Sequence, residues 1–200
     1  MRWMPGVLTA IVLGASPAAA QTVTVVECRP RVGVTLGAAT NSDDGAIYGD
    51  LENRSRRTYD LSGTAEVPLF SRWSARADVG SAAWTVQLRD PEAAALRRDR
   101  MRLTRVTLSA LKQSPHPCGS PVRLYGGFGY GAYHYRLKAF DASAWRGGAH
   151  AIGGLEVAPR DHLAVAADLS LHAIGGPRRA PLNTSMLLVL QFNVGVRLVF

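Results

Sequence analysis

The chain has 200 residues and a formal net charge of +8, from 23 Lys and Arg against 15 Asp and Glu. A basic balance points to an anionic partner. No basic helix and no aromatic-interleaved basic patch occurs, so nucleic acid is excluded as the expected partner, and anionic lipid headgroups or surface phosphates fit better. No apolar run reaches the ~18 residues of a transmembrane helix.

At the N-terminus, Arg2 precedes an apolar stretch from Val7 to Leu13, and Ala18-Ala19-Ala20 offers small residues for cleavage before Gln21. That layout predicts a secretory signal peptide over residues 1–20, too short to span a bilayer. No Cys follows the cleavage point, so a lipid anchor there is not expected. Residues 21–200 then fit a single domain.

Turn signals divide the rest into eight alternating segments. Residues 31–40 set Val32, Val34, Leu36 and Ala38 against Arg31, Gly33, Thr35 and Gly37. After a polar loop near 41–56, residues 57–67 set Tyr59, Leu61 and Val67 against Asp60, Ser62, Thr64 and Glu66. A short turn at 68–72 leads to a third strand, with Trp73, Ala75, Ala77 and Val79 opposing Ser74, Arg76, Asp78 and Gly80. A second long loop is predicted near 88–100, where Asp90-Pro91-Glu92 before an Ala run reads as a helix start. The fourth strand, about 101–111, is clearest at Val106, Leu108 and Ala110. Arg102 and Arg105 cannot share its face without a bulge.

Residues 113–120 form a turn, and the fifth strand, 122–135, is rich in Gly and Tyr. A third long loop is expected at 137–147, then a sixth strand at 148–158 with Leu155 and Val157 opposite Glu156. After the turn Pro159–His162, Leu163, Val165, Ala167, Leu169 and Leu171 oppose Asp168, Ser170 and His172. A loop at 173–183 precedes the closing strand, Met186 to Phe200. Its apolar set runs from Met186 to Phe200 in steps of two, against Gln191, Asn193, Gly195 and Arg197.

Strands with one oily and one polar face fit two all-β readings. A soluble, lipocalin-like barrel turns the oily set inward around a ligand. An eight-stranded antiparallel up-and-down transmembrane barrel turns it outward to lipid. The strand lengths, the alternation of long and short connections, and the terminal aromatic favour the second, with both termini on the periplasmic side.

The cleavage region Ala18–Ala20, the Gly/aromatic strand Tyr125–Tyr135 and the ending Val194–Phe200 together resemble the small eight-stranded outer-membrane barrels of the OmpA and OmpX type. The resemblance implies location in the bacterial outer membrane and a C-terminal strand, ending in Phe200, read by the outer-membrane assembly machinery. No appended periplasmic domain is expected. The resemblance is architectural and leaves the task open among structural, adhesive, enzymatic and transport roles.

With the apolar set facing lipid, the lumen receives Glu66, Asp78, Glu156 and Asp168 with Arg31, Arg76, Arg123 and Arg197. Eight strands leave room only for side chains, and buried charges must pair. The balanced set reads as a salt-bridged plug, with a narrow gated channel as the alternative. Asp168, Ser170 and His172 share one face and invite a lipid A deacylase reading, but positions two apart lie ~6.5–7 Å apart along a strand and these face away from acyl chains. Polar lumen lining is the expected role.

Arg54, Arg56 and Arg57, then Arg97, Arg98 and Arg100, then Arg136 and Lys138, then Arg178 and Arg179 cluster in predicted loops. There they are suited to lipopolysaccharide phosphates. The two cysteines, Cys28 and Cys118, suggest a disulfide in an exported chain. No cofactor is expected, and nothing has metal-ligand spacing, His116 near Cys118 included.

Overall fold

A sheet with one apolar and one polar face leaves an exposed row of backbone groups at each edge unless it closes. In the computed structural model of this protein it closes. Residues 29–41, 58–89, 96–114, 121–138, 141–176, 178–179, 182–183 and 186–200 are described. Residues 1–20, expected from the sequence to be a signal peptide, and Cys28, Cys118, Arg54, Arg56 and Arg57 lie outside them.

The elements are β1 (Arg31–Asn41), β2 (Thr58–Pro68), β3 (Trp73–Arg89), β4 (Leu96–Gln113), β5 (Val122–Leu137), β6 (Ala142–Arg160), β7 (Leu163–Gly175), the two-residue β8 (Arg178–Arg179) and β9 (Leu182–Asn183), and β10 (Met186–Val199). Eight long strands form one closed barrel in the order β1-β10-β7-β6-β5-β4-β3-β2. Each is antiparallel to its neighbours, and β8 with β9 makes a separate ribbon between β7 and β10. The closing pair runs in register from Arg31 opposite Val199 to Asn41 opposite Val189. Both ends of the barrel chain meet at one mouth, where the Phe200 amide donates to the Pro30 carbonyl (3.1 Å).

The pleat sorts side chains as the alternation predicts. Leu36 is 57% exposed, Leu169 52% and Phe192 53%, all outward. Asp168, Ser170, Asn193 and Arg197 are buried inside. Inward glycines make room in a narrow bore: a Cβ at Gly80 would lie 2.7 Å from the Arg105 guanidinium carbon, and one at Gly154 would lie 2.6 Å from an Asp168 carboxylate oxygen.

Several sequence expectations need correction. The loop predicted at 88–100 is mostly strand, because β3 continues to Arg89 and β4 begins at Leu96. Arg97, Arg98 and Arg100 therefore sit on β4; the expected helical turn falls on residues 90–95, outside those described. Likewise β5 reaches Leu137 and β6 starts at Ala142, which leaves only 138–141 of the loop expected at 137–147 and puts Arg136 on a strand. Arg178 and Arg179 form β8. Connection lengths do not alternate strictly, since 138–141 is shorter than 114–121 at the other mouth. The physical reason is common to all. Apolar alternation marks only the part of a strand that meets hydrocarbon, and backbone pairing continues beyond it, where outward positions such as Arg100, Arg102, Arg136 and Ser143 are polar. β4 needs no bulge: its register is unbroken, and Arg102 points out while Arg105 points in. The register shift in the barrel lies between Val157 and Arg160 on β6.

Candidate functional site

The lumen is filled in three tiers. The first, at the mouth with the chain ends, joins all eight charged residues predicted for it. Arg31 donates to Glu156 (2.9 Å) and approaches Glu66 (3.9 Å). Arg123 bridges Glu66 (2.6 Å) and Glu156 (3.0 Å), and Ser74 donates to Glu66 (2.8 Å). Arg197 spans Glu156 (2.9 Å) and Asp168 (2.7 Å). Arg76 joins Asp168 (2.9 Å) to Asp78 (2.8 Å). Every long strand except β4 contributes at least one of these charges, and β3 contributes both Arg76 and Asp78. Tyr125 ties the group together: its hydroxyl donates to Asp168, and its ring lies 4.8 Å from the Arg123 guanidinium and 5.3 Å from that of Arg197. Bidentate arginines and alternating acids satisfy most of the charge that burial would otherwise penalise.

The second tier is polar, and most of it lies outside the charged set expected from the sequence. Arg105 on β4 grips Asp60 on β2 with both nitrogens (2.6 and 2.8 Å) and also reaches Ser62 (2.6 Å). Both residues carry the inward parity of their strands, Asp60 with Glu66 and Arg105 with Thr107, so the signal was present. Beside them His150 and His172, directly opposed across β6 and β7, stack at 5.2 Å and 26°. Ser109 bonds His150 Nε2 (2.8 Å). The Tyr133 hydroxyl donates to His172 Nδ1 (2.9 Å), which leaves Nε2–H to donate to Gln191 Oε1 (3.0 Å) and Ser170 Oγ (3.1 Å). A cavity of about 20 Å³ lies here, room for one water. The buried Thr35 Oγ1, His150 Nδ1, Gln191 Nε2 and Asn193 Oδ1 have no protein partner, and all four residues line it.

The third tier, toward the opposite mouth, is apolar. Ala39, Ala82, Trp84, Met101, Leu103, Tyr135, Leu137, Ile174, Leu187 and Val189 form one buried cluster with Tyr133. The inward parity of β4 and β10 continues past Arg105 and Gln191 into these residues, so the inward set is not polar throughout as the sequence suggests.

The hydrolase constellation does not assemble. Ser170 and His172 do meet, but Asp168 is turned away to Arg76, Arg197 and Tyr125, and the orienting place at His172 Nδ1 is taken by Tyr133. Among the described residues no group of three or more His, Cys, Asp or Glu side chains is arranged to hold a metal.

An apolar girdle around a charged and packed bore is an inside-out arrangement suited to a bilayer. No protein-family model matches the chain, and no curated protein does. Solved structures do. Neisserial surface protein A superimposes over 86% of this chain and 97% of its own, at 15% identity and a TM-score of 0.59. The fold is that of the small outer-membrane barrels. The outer membrane protein OprG from Pseudomonas aeruginosa agrees, covering 86% of this chain and 96% of its own, at 14% identity and a TM-score of 0.56. At such identities the likeness is one of architecture, and the lumen residues have to be read from this chain alone.

Proposed function

We propose that this protein is an integral barrel of the bacterial outer membrane with a structural or surface-interaction role, and that its lumen is closed to ions. Export uses residues 1–20 as a cleaved signal peptide. Both termini lie on the periplasmic side, so the ionic tier faces the periplasm and the apolar tier the outside. The C-terminal strand with Phe200 engages the assembly machinery. The basic residues near the outer mouth, Arg54, Arg56, Arg57, Arg97, Arg98, Arg100, Arg136, Lys138, Arg178 and Arg179, meet lipopolysaccharide phosphates. A Cys28–Cys118 disulfide braces the periplasmic mouth.

The observation that carries the closed lumen is the stacking of two different seals along one bore. Ions crossing it would have to break the Arg31–Glu156–Arg197–Asp168–Arg76 chain and then pass a plug containing Leu103, Ile174 and Tyr133, each without measurable exposure. Neither a charged seal nor an apolar one leaves a hydrated path. The deacylase reading is disfavoured by the separation of Asp168 from His172 and by the inward aim of Ser170, away from acyl chains.

Planar-bilayer recording of the refolded protein tests this. No discrete conductance steps are expected from the wild type. Reproducible steps from wild-type protein would overturn the closed-lumen reading in favour of a narrow channel.

A further inference from the structure

We propose that the outer wall of β4, β5 and β6 docks a phosphorylated outer-leaflet glycolipid, lipid A, with a phosphate on Arg102 and Arg136 and an acyl chain in the trough between Tyr130 and Trp145. This rests on the reading above that the mouth away from the chain ends lies at the outer leaflet. It shifts the contact from loops to the barrel wall.

Arg102 on β4 and Arg136 on β5 are directly opposite each other, and both point outward and are exposed. Like charges in this position repel and destabilise a sheet. Among the described residues neither has an acidic partner, and Asp141 in the turn after β5 pairs with neither. The pair stands in contrast to the other rim, where the outward Lys112 lies over the Trp73 ring at 5.9 Å. An anion that accepts from two guanidinium forks at once removes the repulsion, and phosphate has the matching geometry.

The surface below the pair changes in steps. One pleat down, His134 opposes Trp145, with rings 4.9 Å apart. Another pleat down, Ala132 opposes Gly147, and below that Tyr130 opposes Ala149. The small pair leaves an open cavity of about 390 Å³ between the two aromatic residues. Tyr130 leans across Gly147, so that a Cβ on the glycine would strike the tyrosine hydroxyl. Arg146 does not compete for the phosphate, because its Nε donates to the Gly176 carbonyl (3.1 Å). From Arg136 to Ala132 the strand descends ~13 Å. The order is cation pair, amphipathic ring, then apolar trough. A lipid presents the same order from headgroup phosphate through interface to chain, and Trp and Tyr favour that interface.

The test uses the full-length mature barrel refolded in detergent and lipid retention read by native mass spectrometry. The probes are bisphosphorylated lipid A, the same lipid with its phosphates removed, and phosphatidylglycerol. Wild type is expected to hold bisphosphorylated lipid A about tenfold or more tightly than either other probe, the size of one or two charge-assisted contacts. R102Q/R136Q should lose that preference, A132F should weaken retention with the charges intact, and K112Q should behave as wild type. Equal retention by wild type and R102Q/R136Q overturns the site, and so does equal retention of the dephosphorylated lipid. Equal binding of phosphatidylglycerol would mean general anionic adsorption and also overturns it. If R102Q/R136Q does not fold, R136Q alone carries the same expectation at smaller size. Failure of wild type to give a heat-modifiable barrel band would instead count against the fold-level reading, so the two failures are told apart.

Discussion

Arg105 reaches over Gly80 to hold Asp60 two strands away. In the register Arg105 opposes Gly80 on β3, and Gly80 opposes Ser62 on β2, so the glycine sits directly beneath the guanidinium. Asp60 and Arg105 are both essentially buried, and the pair stands apart from the eight-residue network at the mouth. Removing one partner strands the other charge in a tightly packed bore. Asp60→Ala should cost about 3–5 kcal/mol, read as a lowered urea midpoint for unfolding of the refolded barrel. Gly80→Val should also destabilise it, with Asp60 and Arg105 untouched, because its side chain takes the space of the guanidinium. A wild-type midpoint in both variants would show that the bridge does not hold these strands.

His172 depends on Tyr133 for its Nδ1 partner. Tyr133→Phe keeps the ring and its edge-on packing at 5.7 Å but leaves that nitrogen buried with no donor. A loss of about 1–3 kcal/mol is expected, seen as a lower temperature for conversion of the heat-modifiable band. Tyr135→Phe serves as the comparison. Its hydroxyl makes one long contact, to the Gly175 carbonyl (3.4 Å), so the change there should be smaller. Equal shifts in the two variants would mean the Tyr133–His172 bond adds nothing beyond packing.

On the outer face, Leu169→Arg puts a charge into hydrocarbon and should cost about 2–4 kcal/mol if its row lies near mid-membrane. The sequence alone suggests that Ser170→Arg, facing the lumen, would impair assembly much less than Leu169→Arg. The structure removes that difference. Ser170 is wedged against His172 and Gln191 with 6% exposure, and an arginine there has no room, while the nearby acids Asp78 and Asp168 are already held by Arg76. Both variants should therefore fold poorly. A lumen substitution of similar size, Ser170→Thr, should be accepted. Efficient refolding of Ser170→Arg would show that the bore is looser than its packing indicates.

What was legible in the sequence was whatever the pleat makes periodic. Val32, Leu36, Leu169 and Leu198 mark the outer face by spacing alone, and the same parity turns Arg31, Glu66, Arg76 and Asp168 inward. Asp60 and Arg105 obey that parity too, but Asp60 lies near the start of β2 beside a polar loop, and Arg105 lies near Arg102, whose opposite parity obscures the register. Strand ends were illegible for a physical cause. At Leu96–Arg100 and Ala142–Ala144 the strands run past their apolar alternation, and nothing in composition separates paired backbone from loop. The His150–His172 stack was beyond reach for another reason. It depends on the register between β6 and β7, which sequence spacing within one strand does not encode.

Phe200 is predicted to matter more for assembly than for the finished fold. Its side chain is 65% exposed at the rim, while its amide holds Pro30 through the backbone. Phe200→Ala keeps that hydrogen bond and removes only a rim contact. The refolded variant should unfold within about 1 kcal/mol of wild type, as exposed positions usually do. The yield of heat-modifiable protein in the outer membrane of cells should fall markedly. Undiminished yield in cells would count against a role for this residue in assembly.

The remaining prediction concerns the cysteines, which lie outside the described residues but flank positions that are described. Cys28 comes three positions before Arg31 and Cys118 five before Arg123. Those two arginines lie within the first two residues of β1 and β5, on different walls of the barrel, yet both converge on Glu66 and Glu156 across the same mouth. The segments ahead of them therefore enter the barrel at one end, in what the proposed orientation makes the oxidising periplasm. A disulfide needs Cα atoms within about 7 Å, which requires the leader or the 114–121 connection to lean over the opening. The arginines already make the corresponding crossing with their side chains, and Pro117 and Pro121 restrict how the connection can bend. A Cys28–Cys118 bond should stabilise the barrel by about 2–4 kcal/mol, because the loop it closes is long. Alkylation of mature protein under denaturing, non-reducing conditions should label neither cysteine, and reduction should expose both and lower the unfolding midpoint. Two labelled cysteines before reduction would refute the bridge.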